Sequence, residues 1–145
     1  MNTRFKQQAG FTLIELVVVI AILGILAAFA VPRFVSLERE ARTATLLGAA
    51  GSVRGAATLA HSVWLVQGVS PIVMEGNSID LTQGYPDAED ITLTLADLTG
   101  FTTTVNGAGD QATISKQGAP GTCQIVYSDA LVNQPPAISV DVTGC

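Results

Sequence analysis

Gly10-Phe11-Thr12-Leu13-Ile14-Glu15-Leu16-Val17-Val18-Val19-Ile20-Ala21-Ile22-Leu23-Gly24-Ile25-Leu26-Ala27-Ala28-Phe29-Ala30-Val31 is the stretch that decides the architecture. From Phe11 to Val31 its only charge is Glu15, and from Leu16 to Val31 no residue is charged or strongly polar. At about 1.5 Å per residue such a helix spans roughly 30 Å, the thickness of a bilayer's hydrocarbon core. Arg4 and Lys6 stand ahead of it, so the positive-inside rule puts Met1 in the cytoplasm and the chain beyond Val31 outside. Arg33, Arg39, Arg42 and Arg54 follow the run and weaken that asymmetry. An outside location also gives the two cysteines an oxidising compartment.

Glu15 is the anomaly in this rod. An acid inside an apolar insertion segment costs about 2.5–3.5 kcal/mol at mid-membrane and less near the interface, and such residues usually have a function and a partner. An ordinary secretory signal is the alternative; its cut would follow the apolar core, where Ala27, Ala28 and Ala30 supply small residues. That signal has no use for Glu15.

The rest of the chain is different in kind. Its 145 residues suffice for one domain and a long extension. Beyond Arg54 the only strong base is Lys116, against nine acids from Glu75 to Asp141. Phosphate contacts need clustered Lys and Arg, so nucleic acid is not an expected partner. With one histidine, no CxxC, no GxSxG and no glycine-rich phosphate loop, no enzyme and no cofactor is expected either.

Past Val31, Pro32 is expected to kink or locally open the helix, and Gly24 is a second weak point. Leu46, Ala50, Val53, Ala57, Ala60 and Trp64 then recur every three or four residues, a stripe able to pack on a sheet. Glu38 and Arg42 are spaced to pair on this helix. If it continues to about Val66, it measures roughly 80 Å from Phe11, more than one small core can bury. His61 reads as a packed or surface residue, and Trp64 as core.

Gly68, Ser70 and Pro71 end the helix, and a polar connection follows that includes Gly84-Tyr85-Pro86-Asp87-Ala88-Glu89-Asp90. Asp87, Glu89 and Asp90 lack EF-hand spacing, so solvated surface is favoured over calcium and no metal site is expected. Strands are predicted at Ile91–Leu95, Phe101–Val105, Ala112–Lys116, Gln124–Tyr127 and Ala137–Val142. Together they make an antiparallel meander of three to five strands. Cys123 and Cys145, with 21 residues between them, are expected to form a disulfide in an exported chain.

The run Gly10 to Ile20 after a short basic leader resembles the type IV prepilin signature. The resemblance implies cleavage between Gly10 and Phe11 by a membrane prepilin peptidase, N-methylation of Phe11, and Glu15 as the fifth residue of the mature chain. It also implies that Glu15 neutralises the Phe11 amine of a neighbouring subunit, and that the stretch between Gly24 and Pro32 can lose helical order in a filament. The implied fold is α+β: a long N-terminal helix on a small antiparallel sheet. Residues 1–10 would be the leader, 11–35 the membrane and filament-core helix, 36–67 the amphipathic helix, and 68–145 the loop and sheet domain with a C-terminal disulfide loop.

The implied function is that of a major pilin, a homopolymer serving attachment or motility. It would be held in the inner membrane before assembly by dedicated machinery and then displayed as an extracellular pilus. The short leader and Phe11 resemble the type IVa class. Gly84-Tyr85-Pro86 before acids and the late cysteine pair resemble mannose-sensitive haemagglutinin-type pilins. The alternative within the family is a pseudopilin of type II secretion, which shares the N-terminal region but generally resembles a disulfide-free, calcium-stabilised version. A minor, priming pilin remains open, and so, from another class, does a membrane-anchored binding domain, which would form no filaments and tolerate loss of Glu15.

Overall fold

The computed structural model describes residues 10–145; the leader positions Arg4 and Lys6 lie outside them. The chain divides between Glu38 and Arg39 into two compact units. The first contains the start of a single helix, α1 (Leu13–Gln67), and all its described residues, from Gly10 on, are exposed. Pro32 lies inside α1, which is helical throughout, so the expected opening there is not found. A proline forfeits one backbone bond, and its fixed φ is itself compatible with helix.

In the second unit the amphipathic stripe does what its spacing predicts. Leu46, Ala50, Val53, Ala57 and Ala60 are buried. The first four meet Ile114, Ile125 and Tyr127 in the main core, while Ala60 joins Ile72 and Ile79 in a smaller cluster against which Trp64 packs. Small residues on the helix let the sheet lie close, and branched residues from the strands fill the space.

The sheet contains β5 (Phe101–Val105), β6 (Gln111–Lys116), β7 (Gln124–Ser128) and β8 (Ala137–Asp141), antiparallel and in sequence order. Ile114 pairs with Ile125 and Ile125 with Val140; Ala112 pairs with Tyr127 and Tyr127 with Ile138. Alternation along each strand puts these residues on one face, the face packed on α1. On the outer edge of β8 Arg54 donates to the Ile138 carbonyl at 3.4 Å, and beyond the strand's end Arg42 donates to the Cys145 carbonyl at 3.0 Å.

Two differences from expectation lie before the sheet. Ile91–Thr94 is a short 3-10 turn rather than a strand. The Ile91 N–H donates to the Asp87 carbonyl and the Thr94 hydroxyl to the Ile91 carbonyl, so local bonds outcompete the alternating pattern. The polar connection also holds two hairpins, β1 (Ile72–Met74) with β2 (Asn77–Ile79), and β3 (Leu81–Thr82) with β4 (Tyr85–Pro86). Each turns through two residues at positive φ, Glu75-Gly76 and Gln83-Gly84, as two-residue hairpins prefer.

Gly84 (φ +82°) has a further constraint, because a Cβ there would run into the Trp64 indole. His61 stacks on Tyr85 with ring centroids 4.0 Å apart and on Trp64 at 5.4 Å. Its Nδ1 lies 2.9 Å from the Gly84 carbonyl. The indole is thus held where the glycine needs it to be. Gly84→Ala is expected to destabilise the second unit by about 1–3 kcal/mol and to shift the emission of Trp64, the chain's one tryptophan. An unchanged spectrum and melting temperature would contradict this packing.

Candidate functional site

The first helical turn is built by Thr12 and Glu15. Glu15 Oε2 accepts from the Thr12 N–H and from the Thr12 hydroxyl, each at 2.9 Å, and Thr12 Oγ1 accepts from the Glu15 N–H at 3.3 Å. This is a reciprocal capping box, in which both side chains satisfy donors that the helix start leaves open. The expectation for Glu15 did not include this role, although the Thr-x-x-Glu spacing is visible in the sequence. Gly10, Phe11 and Thr12 precede the helix, so the Gly10–Phe11 bond lies in non-helical, exposed chain. Phe11 is 93% exposed.

From Leu13 the side chains around the helix are apolar and uncovered, Ile14, Val18, Ile22, Leu26 and Phe29 among them. The helix is long and apolar enough to cross a membrane, and none of its most apolar window is buried within the chain. Glu15 therefore sits among groups that need a non-aqueous neighbour. Gly24 lies within this stretch with open space around it.

Residues 5–31 match the family described as the prokaryotic N-terminal methylation motif. A type IV major alpha-pilin of Moraxella bovis is 37% identical over 109 residues, which cover 70% of this chain and 65% of that protein. The chain belongs to the type IV pilin and pseudopilin family. The major component PilA5 of the Thermus thermophilus type IV narrow pilus is 55% identical to this pilin-family chain over 51 residues, 35% of the chain and 44% of that protein. The type II secretion system core protein G of Pseudomonas aeruginosa is 51% identical over 43 residues, 30% of each. The chain thus spans about half to two thirds of the first relatives' own lengths (44%, 65% and 47%). None of these names is that of an enzyme, and no solved structure matches.

At the other end of this pilin-family chain, Cys123 and Cys145 are joined by a disulfide. Beside it, Gly121 N–H donates to the Gly144 carbonyl at 3.1 Å and Gly144 N–H to the Thr122 carbonyl at 2.7 Å. The backbones are so close that a Cβ on Gly144 would overlap the Gly121–Thr122 backbone.

Of the three acids singled out in the loop, the structure brings together Asp87 and Asp90 and adds Asp80; one carboxylate oxygen from each lies within 4.8 Å of the others. Glu89 is exposed and is not part of the group. These carboxylates tie the loop to itself: Asp90 Oδ2 accepts from the Asp80 N–H at 2.7 Å, and Asp87 Oδ1 from the Asp90 N–H at 2.9 Å. Nearby, Asp129 Oδ1 accepts from the Ala88 N–H at 2.7 Å.

Burial, reinforced by neighbouring acids, raises the pKa of both Asp87 and Asp129 despite these donors. A carboxyl raised in the folded state favours folding fully only at low pH, and that contribution fades as pH rises through the folded value. Asp129→Asn keeps the acceptor for Ala88 without the charge. Its melting temperature should exceed the wild type's near pH 7 by about 1–4 °C. The gap should close as pH falls below the ordinary carboxyl value of 3.8; a gap that instead widens in acid would reverse the assignment.

Proposed function

We propose that the chain is the structural subunit, a major pilin, of a bacterial type IV pilus. The observation that carries this reading is the uncovered apolar helix with one acid in its first turn. The membrane covers this surface before assembly, and neighbouring copies of the same helix cover it afterwards. Within such a packed rod an unpaired charge is expensive and a paired one much less so. Glu15 then neutralises the amine of Phe11 on an adjoining copy and sets each incoming subunit in register. One Glu15 oxygen is already engaged by Thr12, which leaves Oε1 to face the amine.

Creating that amine requires removal of residues 1–10. The exposed, non-helical bond between Gly10 and Phe11 suits a peptidase that reads extended chain, and Gly10 puts no side chain at the cut. Prepilin peptidase and inner-membrane assembly machinery are the partners this reading requires; Phe11 becomes N-methylated, and the filament is displayed outside the cell. Attachment and motility are the roles proposed for it. A pseudopilin of a secretion system is the second reading, favoured by the secretion relative. That alignment covers 43 residues, whereas the Moraxella pilin aligns over 109, which supports the pilin.

Mass spectrometry of sheared surface filaments tests the proposal. The chain should be their main component and should begin at N-methyl-Phe11. A chain starting at Met1, or cut after Ala27, Ala28 or Ala30, would defeat it.

A further inference from the structure

Bonds from Asn106 N–H to the Gln111 carbonyl and from Gln117 N–H to the Gly100 carbonyl, both 3.0 Å, bracket the β5–β6 ladder. Bonded pairs alternate along an antiparallel ladder. The backbone groups of Thr102 and Thr104 therefore turn toward β6, and those of Phe101, Thr103 and Val105 point off the sheet. The Phe101 N–H is taken by the Leu98 carbonyl, and the Phe101 carbonyl accepts from Gln117 Nε2 at 3.0 Å. Among the described residues nothing takes the outward groups of Thr103 and Val105. Thr102, Thr103, Thr104 and Val105 are all exposed, Val105 at 39%. In a domain rich in acids, no charged residue lies between Asp97 and Asp110.

We propose that β5 is a docking edge for β5 of a second copy, paired antiparallel about Thr103. Phe-Thr-Thr-Thr-Val is self-complementary in that register. Phe101 faces Val105 of the second copy, Thr102 faces Thr104, and Thr103 faces Thr103. These are aromatic–β-branched and threonine pairs, both favourable across strands. The outward backbone groups belong to the same residues: the two Thr103 residues exchange both of their bonds, and each Val105 N–H reaches the second lone pair of the Phe101 carbonyl opposite, the first being taken by Gln117. No like charges are brought face to face, because the flanking residues meet as Gly100 with Asn106 and Thr99 with Gly107.

A five-residue edge is small beside the roughly 800 Å² per partner of a standard stable interface. An isolated pair is therefore short-lived, and arrays of copies hold together by multivalency. The contact is two-fold, whereas successive subunits of a helical filament meet through unlike surfaces. It therefore joins subunits of neighbouring filaments and draws filaments into bundles. This bundling role rests on the filament reading above.

Cysteine crosslinking tests the pairing. Facing residues of a bonded antiparallel pair have Cα atoms about 5.5 Å apart, within a disulfide's reach. T103C should give intermolecular dimers on mild oxidation and T102C, displaced along the strand, should not. Thr103→Pro removes an outward N–H while sparing the β6 ladder, a position where edge strands accept proline. It should turn bundles into single filaments at unchanged filament yield, and Thr103→Lys should do the same by placing like charges opposite each other. Crosslinking is read both on sheared filaments and on the chain concentrated in phosphatidylethanolamine–phosphatidylglycerol vesicles. Crosslinking in vesicles with no filaments on cells overturns the filament reading and keeps the edge pairing. Filaments that crosslink no better through T103C than through T102C, or that still bundle with both T103P and T103K, overturn the edge pairing.

Discussion

Glu15→Val is expected to leave the chain in the membrane at wild-type abundance and to reduce sheared filaments below detection. Valine favours insertion, since it removes the one charge from the apolar run. Assembly is a different matter, because the amine of each adjoining copy then enters the rod without its partner. Removing one member of a buried pair costs about 3–5 kcal/mol, or between two and four orders of magnitude in the docking equilibrium of each subunit. Valine also breaks the capping box with Thr12, worth about 1 kcal/mol. Glu15→Gln separates the two roles, because glutamine can complete the box but carries no charge. If pairing with the amine drives assembly, the glutamine variant loses filaments as the valine variant does; wild-type filament yield in Glu15→Gln would assign Glu15 to its own helix start alone.

Loss of the Cys123–Cys145 bridge carries the second large effect. The crosslinked residues are separated by 22 positions, for which loop-closure entropy gives about 3 kcal/mol. For a unit of this size that corresponds to a fall of roughly 10–20 °C in melting temperature. The enclosed segment contains β7 and β8, so the bridge ties the end of the chain to the strand at the centre of the core. Replacing both cysteines with alanine, or reducing the wild type, should produce that fall in a Trp64 fluorescence melt. Reduction that leaves the melt unmoved would show that the bonds beside Gly144 and the Arg42 contact already hold this segment.

Much of the architecture was legible because it depends on period. The stripe from Leu46 to Ala60 is a helical face whatever covers it, and four of five predicted strands occur within a residue or so of their expected bounds. Ile91–Thr94 misled because Ile91, Leu93 and Leu95 alternate as in a strand, yet Asp87 and Asp90 supply local partners that close a turn. The hairpins at Glu75-Gly76 and Gln83-Gly84 have strands too short for alternation to register. The stack of His61 on Tyr85 joins residues from a helix and a distant hairpin, and no local pattern encodes that meeting. At the helix start, Glu15 stands out in the sequence by its charge, while its Thr-x-x-Glu spacing from Thr12 is that of an ordinary capping box. A single residue can serve its own helix and a neighbour's, and only the first of these has a sequence spacing.

The Arg54 guanidinium on β8 has a consequence for the protein in bulk. Arg54 holds the Ile138 carbonyl on that margin, and Arg42 holds Cys145 just beyond it. A charge held on the Ile138 carbonyl stands where an added strand would have to pair, so sheet growth is disfavoured on that side while β5 takes a companion. A doublet joined through β5 then shows only charge-guarded margins, which hinders ribbons of the amyloid kind from lengthening. A crowded envelope can thus hold many copies of a sticky strand without the stickiness propagating.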